Sequence, residues 1–208
     1  MFANFLKYTA KAALEESCST KKESIEHMKY TKKFVAKNGK EIIIRNAESA
    51  DGEAVLENFN LTHAETDFLL TYPDESSFTA ELESRFLGRK AESANEAELV
   101  AVFDGKIVGT AGIDAVGTKY KVAHRAEFGV SVLKDYWGLS IGKALTEACI
   151  ECAKSAGYVQ LELSVVADNT RAVSLYKSLG FSEYGRNPTG FKSRTGSYQE
   201  LVYMMLEL

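Results

Sequence analysis

The amino-acid sequence predicts an α+β fold in which helices flank a mixed, mostly antiparallel central sheet. The spacing of apolar residues switches repeatedly between strand and helix periods, in the order β-α-α-β-β-β-α-β-α-β-β. Near the middle of the chain, one helical segment separates two alternating segments, at about 121–132 and 159–165. That arrangement is typical of a single parallel β-α-β step within an otherwise antiparallel sheet.

The first half of this series contains a strand, two helices and a hairpin. The turn Tyr72-Pro73-Asp74-Glu75 lies between the helices, and Asp104-Gly105 lies between the hairpin strands. An Asp-Gly pair supplies the positive φ angles that a two-residue hairpin turn requires. The predicted segments are a strand at 40–47, helices at 50–61 and 78–86, and strands at 97–103 and 106–113.

The second half begins with the strand at 121–132, whose even-numbered residues from Ala126 are apolar. The helix after it ends at Gly157, and its predicted buried stripe is Ile141, Leu145, Ala148, Cys149 and Cys152. The remaining predicted segments are a strand at 159–165, a helix at 170–179 and closing strands at about 181–186 and 197–206.

Charge is distributed unevenly along the 208 residues. Residues 1–40 contain nine lysines and four glutamates, a net charge of +5, whereas residues 41–208 contain sixteen basic and twenty-five acidic residues, a net charge of −9. The acidic body argues against a nucleic-acid partner. No apolar run approaches the ~18–20 residues that a membrane-spanning helix needs. Three cysteines and the lack of a secretory signal predict a cytoplasmic protein.

The sequence divides into a basic, helical N-terminal extension at 1–40 and a main domain at 41–208. Apolar residues recur at helical spacing near the start, at Phe2, Phe5, Leu6, Ala10, Ala13 and Leu14. Such a helix could bind a membrane surface or a partner, or it could dock on its own acidic body or on a second subunit. Glutamates in the extension favour the second interpretation, and a homodimer is one form that it could take.

A strand, a glycine-containing turn and a helix follow one another between Leu133 and Lys143. This junction aims free backbone N–H groups and the positive end of the helix dipole at one point, which suits a phosphate or pyrophosphate. The spacing of Gly138 and Gly142 matches neither a Walker loop nor a dinucleotide fingerprint. By itself, the turn could equally be a simple helix cap.

The segment from Asp168 to Phe181 reads DNTRAVSLYKSLGF. It strongly resembles motif B of the GNAT superfamily of N-acetyltransferases, DNxRAxxLYxxLGF, at every specified position. The segment 129–145 is similar to motif A of the same family, the acyl-CoA pyrophosphate loop. Here Trp137 stands where Gln or Arg is usual, and Ser140 replaces the middle glycine. The resemblance covers about 41–208 and implies a GNAT acyl-CoA N-acyltransferase fold.

This resemblance implies an acetyl-CoA-dependent N-acetyltransferase that releases coenzyme A as product. Asn169 matches the residue that hydrogen-bonds the pantetheine arm, although it could also cap the following helix. A backbone N–H near Val132 is expected to meet the developing oxyanion, where the family's two parallel strands splay apart. Trp137 is interpreted as a loop anchor. The cofactor-binding residues implied are Val130, Val132, Leu133, Trp137, Gly138, Leu139, Ser140, Ile141, Gly142, Lys143, Asn169 and Tyr176.

Two residues are candidates for acid and base catalysis. Glu127 lies on the polar face of its strand, as does the glutamate base of some relatives, but it could instead pair with Arg125. Tyr176 matches the family's tyrosine that can protonate the departing thiolate, but helical spacing alone would make it a core residue. Whether the base is Glu127 or a water chain stays open.

Other chemistry-bearing residues receive structural interpretations. Cys149 and Cys152 are assigned to core packing and His63 to the surface, and no metal site is predicted. The acceptor is predicted to be a small amine, a polyamine or a peptide amine. An acidic region containing Glu65, Asp67, Asp74, Glu75, Glu81 and Glu83 suggests a cationic acceptor, or is simply a solvated face. The alternative function is a non-catalytic acyl-CoA-binding regulatory module.

Overall fold

A computed structural model describes residues 28–208 of the chain. The amphipathic helix predicted near residues 2–14 lies outside the described residues. The α-helices are α1 (Gly52–Ala64), α2 (Ala80–Ala91), α3 (Ile141–Ser155) and α4 (Thr170–Ser178). The strands are β1 (Thr31–Val35), β2 (Glu41–Asn46), β3 (Ala97–Phe103), β4 (Lys106–Ala115), β5 (Arg125–Val132), β6 (Gln160–Val166), β7 (Ser182–Lys192) and β8 (Tyr198–Glu207).

One eight-stranded sheet organises the described chain, in the order β1-β2-β3-β4-β5-β6-β8-β7. Every neighbouring pair is antiparallel except β5 and β6, which are parallel and joined through α3. The predicted α+β class and its central parallel step are therefore confirmed. Asp104 and Gly105 adopt φ angles of 48° and 77°, as the predicted hairpin turn requires.

Helices cover both faces of the sheet. Leu99 and Val100 are adjacent in β3 and fully buried, yet they belong to separate apolar clusters, because successive strand residues face opposite sides. Val100 packs with Val55 of α1 and Leu87 of α2. On the opposite face, the predicted stripe of α3 is buried over its whole length. This two-sided packing holds β5 and β6 at the centre of the domain.

The strand β1 was not predicted from the sequence. It pairs antiparallel with β2, from Thr31 opposite Arg45 to Val35 opposite Glu41. Its residues are mostly exposed, and it carries Lys32 and Lys33. An exposed edge strand has no apolar alternation to reveal it, and lysines on such an edge oppose further strand pairing.

Three other boundaries differ from the prediction. The strand β5 begins at Arg125 and not near residue 121, because 119–124 form turns in which the Val122 N–H donates to the Lys119 carbonyl. The helix α2 continues to Ala91, and β7 continues to Lys192. No helix among residues 28–208 is long and apolar enough to span a bilayer.

Four ionisable side chains are buried between α2 and the sheet. The Lys90 ammonium donates to the Ile113 carbonyl (2.9 Å) and is paired with Asp114. Glu98 lies nearby on β3, and burial raises the pKa of its carboxyl to about 8. Burial also raises the pKa of Glu83, on α2, to about 7. This cluster combines one cation with three carboxyl groups away from water.

Candidate active site

The parallel strands β5 and β6 diverge at the centre of the sheet. They pair over only three positions, from Arg125 opposite Gln160 to Glu127 opposite Glu162. Beyond these positions β5 continues to Val132 and stays paired with β4, while β6 stays paired with β8. The divergence opens a gap between the two strands.

Hydrogen bonding between β4 and β5 determines which backbone groups of β5 face this gap. Alternate residues of an antiparallel strand bond to the neighbouring strand, and those between them point the other way. The Leu133 N–H donates to the carbonyl of the opposite residue, Val108 (3.0 Å), so odd-numbered residues of β5 are bonded to β4. The N–H groups of Phe128, Val130 and Val132 consequently face the gap.

The loop after β5 leads to the start of α3. It contains two left-handed residues, Gly138 with φ of 86° and Ser140 with φ of 68°. The first hydrogen bond of α3 runs from the Ala144 N–H to the Ser140 carbonyl (3.0 Å). The N–H groups of Ile141, Gly142 and Lys143 therefore point out of the helix N-terminus, where the dipole favours an anion.

Side chains of this loop hold its backbone in place. Ile141 is fully buried, and Leu133 and Leu139 pack partly against the main core. The Glu65 carboxylate, from the end of α1, accepts a hydrogen bond from the Lys134 N–H (2.8 Å). Lys143 is exposed and lies 3.8 Å from Glu147, one turn further along α3.

Trp137 joins the loop to the strand before it. Its indole N–H donates to the Val132 carbonyl (2.7 Å), and its side chain is 39% exposed. The guanidinium of Arg171, from α4, lies 5.5 Å from the indole ring centre. A Cβ added to Gly138 would lie 3.7 Å from the same guanidinium. Arg171 was not among the predicted site residues, although its place in the motif on α4 could have indicated it.

Two predicted residues of α4 lie beside the gap. Asn169 caps the helix, because its side-chain oxygen accepts from the Ala172 N–H (3.2 Å). Tyr176 is buried and meets Phe128 of β5 edge to face, with ring centres 6.0 Å apart. Burial raises the pKa of the Tyr176 hydroxyl.

Glu127 lies at the last paired position before the strands diverge. It is half-buried, and its neighbour across the parallel ladder is Glu162. Arg125 binds Glu162 through two hydrogen bonds, the Nη2 contact measuring 2.7 Å. Gln160 donates to the same carboxylate (3.0 Å). The guanidinium thus forms its bidentate pair with Glu162, on the neighbouring strand.

One cavity of about 390 Å³ is lined both by Asn169 and Tyr176 and by Glu127 and Glu162. The lining also includes the diverging strands β5 and β6. Further lining residues are Phe68, Leu69 and Leu70 from the loop after α1, and Tyr184, Phe191, Leu201 and Tyr203 from β7 and β8. The cavity therefore connects the gap in the sheet with a pair of carboxylates.

Most of the carboxylates in the acidic region are engaged elsewhere. Asp74 binds Arg194 (2.6 Å), and the Glu75 carboxylate accepts from the Tyr72 N–H (2.8 Å). Glu83 is buried in α2. The residues of this region that line the cavity are apolar, namely Phe68, Leu69 and Leu70.

The remaining candidates have structural surroundings. Cys149 and Cys152 are buried in α3, and burial raises the pKa of the Cys152 thiol to about 12. The expectation for His63 was wrong, because the ring is buried and stacks on Phe59 with centres 3.8 Å apart. Burial lowers the pKa of His63. Among residues 28–208, no group of three His, Cys, Asp or Glu residues is arranged to hold a metal ion.

Diverging parallel strands, a cavity lined by them and an anion-accepting loop after one of them together define a protein class. These are features of an acyl-CoA-dependent N-acyltransferase. Residues 59–181, more than half of the chain, match the model of the Acetyltransferase (GNAT) family. The chain belongs to this family, and it is an acetyl-CoA-dependent N-acetyltransferase.

Relatives and solved structures agree with this assignment. The chain is 30% identical over 165 residues to the L-amino acid N-acetyltransferase AaaT of Escherichia coli, covering 79% of this chain and 96% of that protein. It is similar to an acetyltransferase of the GNAT family from Streptococcus pneumoniae, with a TM-score of 0.77, 31% identity and coverage of 80% and 99%. The fold also matches yncA from Salmonella typhimurium, solved with its cofactor acetyl-CoA, with a TM-score of 0.72, 21% identity and coverage of 80% and 94%.

Proposed function

We propose that this enzyme transfers an acetyl group from acetyl-CoA to a primary amine by direct attack within a ternary complex. The observation that carries the proposal is the single cavity that contains both the strand gap and Glu127. An amine bound beside Glu127 would share this cavity with a thioester lying in the gap. Direct transfer needs this proximity and no covalent acetyl-enzyme.

The backbone supplies most of the proposed cofactor site. Inward-facing N–H groups of Val130 and Val132 can bind the pantetheine arm and polarise the thioester carbonyl. The N–H groups of the loop from Gly138 to Lys143 can bind the pyrophosphate. The positive φ of Gly138 and the close approach of Arg171 support an anion at this loop. When bound, acetyl-CoA supplies the activated acetyl thioester.

Glu127 is the proposed base, acting directly or through water. An alkyl amine with a pKa of ~10.4 is almost entirely protonated at pH 7 and must lose a proton to attack. A structural role beside Arg125 is compatible with this one, since Arg125 makes its bidentate contact with Glu162 and the Glu127 carboxylate also raises the pKa of that guanidinium. Glu127 lines the cavity, where its carboxylate can accept a proton from a bound ammonium ion.

Tyr176 is the proposed acid. It lines the cavity next to Asn169, and burial raises its pKa, which keeps the hydroxyl protonated at neutral pH. A protonated hydroxyl at this position can donate to the sulfur as the C–S bond breaks. Packing against Phe128 fixes the ring, so the core role and the catalytic role are compatible.

The acceptor is proposed to be an amine, in keeping with the relatives' printed names. One is an L-amino acid N-acetyltransferase, and another is an N-alpha-acetyltransferase of Sulfurisphaera tokodaii, 31% identical over 160 residues. A positively charged amine suits Glu127. A polyamine is less well supported, because Asp74, Glu75 and Glu65 already have partners. Homodimer formation stays a prediction.

Calorimetric titration with acetyl-CoA and coenzyme A, followed by thiol release against an amine panel, tests the proposal. Glu127→Gln should lower kcat/KM about 10²–10⁴-fold, the usual range for loss of a general base, without changing acetyl-CoA affinity. Tyr176→Phe should lower kcat in the same assay. Glu53→Gln, at an exposed position of α1, is the matched control. Unchanged turnover and pH profile in Glu127→Gln would exclude Glu127 as the base.

A further inference from the structure

Part of the cavity wall comes from a segment with little regular structure. Residues 66–75, here called the strap, follow α1, and the regular structure within these described residues is one short 3-10 turn, Pro73–Glu75. The middle of the strap, at Phe68, Leu69 and Leu70, lines the cavity. The position of this part of the wall therefore depends on the contacts that the strap makes with the rest of the protein.

The hairpin formed by β7 and β8 holds the strap on both sides of its lining residues. Before them, the side-chain amide of Gln199 donates to the Asp67 carbonyl (3.1 Å). After them, the Arg194 guanidinium donates to the Asp74 carboxylate (2.6 Å) and lies 4.2 Å from the centre of the Tyr72 ring. The backbone N–H of Arg194 also donates to the Tyr72 hydroxyl (3.2 Å). Arg194 thus makes three of these four contacts.

The tip of this hairpin, residues 191–199, also contributes to the cavity wall. Phe191 is a lining residue, and it pairs with Gln199 across the two strands. The preceding Gly190 packs closely on Leu201, since an added Cβ would lie 2.4 Å from the Leu201 Cγ. This close approach fixes the backbone that carries Phe191. The strap and the hairpin tip therefore meet at the cavity, and Arg194 joins them.

The proposed cofactor site leaves this wall uncovered. Acetyl-CoA is proposed to bind the backbone of β5 and of the loop from Gly138 to Lys143, and to meet Tyr176. Direct transfer requires the amine to lie in the same cavity, where it contacts the lining that the cofactor does not cover. The strap and the hairpin tip supply such lining.

We infer that Arg194 is a positioning residue for the amine, because it fastens the strap to the hairpin tip and so holds Phe68, Leu69 and Leu70 in place. This inference rests on the proposed function and adds a residue that does not itself line the cavity. The side chains of Arg194 and Asp74 are 53% and 67% exposed. Exposed ion pairs and exposed cation–π contacts are individually weak, so one substitution can loosen the strap. A wall held in place before binding lowers the cost of ordering it around the amine.

The effect of Arg194→Ala on each substrate tests the inference. Thiol release is measured at saturating acetyl-CoA with L-alaninamide, phenylethylamine and putrescine, and kinetics are compared for the amine that wild type acetylates fastest. KM for this amine should rise about three- to tenfold, as loss of an exposed ion pair and a cation–π contact gives, with kcat and the calorimetric affinity for acetyl-CoA unchanged. Arg194→Lys, which keeps the charge, should recover part of the loss. Adding Asp74→Asn to Arg194→Ala should cause no further rise in KM, because both changes remove the same ion pair.

Hydrogen exchange supplies a measurement that does not depend on activity. Amides of residues 66–75 should exchange faster in Arg194→Ala than in wild type. Arg186→Ala is the matched control, because Arg186 is exposed on the same hairpin and pairs with Glu183 and Glu200, outside the strap. It should change neither strap exchange nor KM for the amine.

Two kinds of failure are distinguishable. Unchanged strap exchange in Arg194→Ala, or faster exchange with unchanged KM for the amine, would overturn the positioning role and leave the transferase intact. An equal rise in KM in Arg186→Ala would also overturn it. Acetyl-CoA binding by wild type without thiol release for any of the amines would refute the proposed function and, with it, this inference.

Discussion

Replacing Glu98 by glutamine should change how the stability of the fold depends on pH. Burial raises the pKa of Glu98 from 4.5 to about 8, and the nearby Asp114 and Glu83 carboxyls act in the same direction. The ammonium of Lys90 opposes this effect but does not cancel it. Between pH 4.5 and about pH 8, Glu98 therefore holds a proton in the folded protein that it has lost in the unfolded chain.

The sign and size of the effect follow from proton linkage. Because the folded state binds the extra proton, the contribution of Glu98 to the free energy of unfolding is fully present below pH 4.5. It is lost as the pH rises toward 8. The slope approaches about 1.4 kcal/mol per pH unit, so the free energy of unfolding should fall by about 2–3 kcal/mol between roughly pH 5.5 and 7.5 from this group alone. The amide introduced by Glu98→Gln has no titrating proton and should remove this contribution.

Urea unfolding of both proteins across this pH range gives the measurement. At each pH, the free energy of unfolding of wild type is subtracted from that of Glu98→Gln. This difference should be about 2–3 kcal/mol larger at roughly pH 7.5 than at roughly pH 5.5. Glu83 is present in both proteins, so the difference reports Glu98 together with its coupling to Glu83. Glu53→Gln, at an exposed site, is the control for the substitution itself. A constant difference for Glu98→Gln would refute a protonated, buried Glu98.

Two predictions concern the loop before α3. Trp137→Phe keeps an aromatic ring but removes the indole N–H that donates to the Val132 carbonyl. Calorimetry should show acetyl-CoA binding about three- to tenfold weaker, which corresponds to the free energy of one hydrogen bond. Unchanged affinity would show that this contact does not shape the cofactor site. Ser140→Gly should raise the free energy of unfolding by about 0.5–1 kcal/mol, because glycine accepts a positive φ without steric strain. A less stable variant would contradict this.

Sequence patterns predicted the parts of the fold that rest on apolar periodicity. The stripe from Ile141 to Cys152 is buried as predicted, since a helix packed on a sheet must bury one face. Asp104 and Gly105 turn as their backbone preferences require. In each case one local segment contains the whole signal.

Contacts between distant segments could not be predicted in this way. Arg125 and Glu127 share a strand face, which suggested a pair, but the bidentate contact of Arg125 with Glu162 on the neighbouring strand could not be predicted from their spacing. Lys90 is buried because its partner Asp114 lies on β4, and nothing near Lys90 in the sequence identifies that partner. Charged residues usually indicate surface, so burial that depends on a distant partner leaves no periodic signal.

The two departures from the usual loop motif share a physical explanation. Backbone N–H groups are the expected binding groups of this loop, so side chains can change provided the backbone keeps its path. Ser140 keeps the left-handed conformation that glycine usually provides, and Trp137 holds the loop through the Val132 carbonyl. Arg171 places a guanidinium beside Gly138 and the Trp137 ring. We expect this cation from α4 to replace the charge that an Arg at position 137 would have supplied.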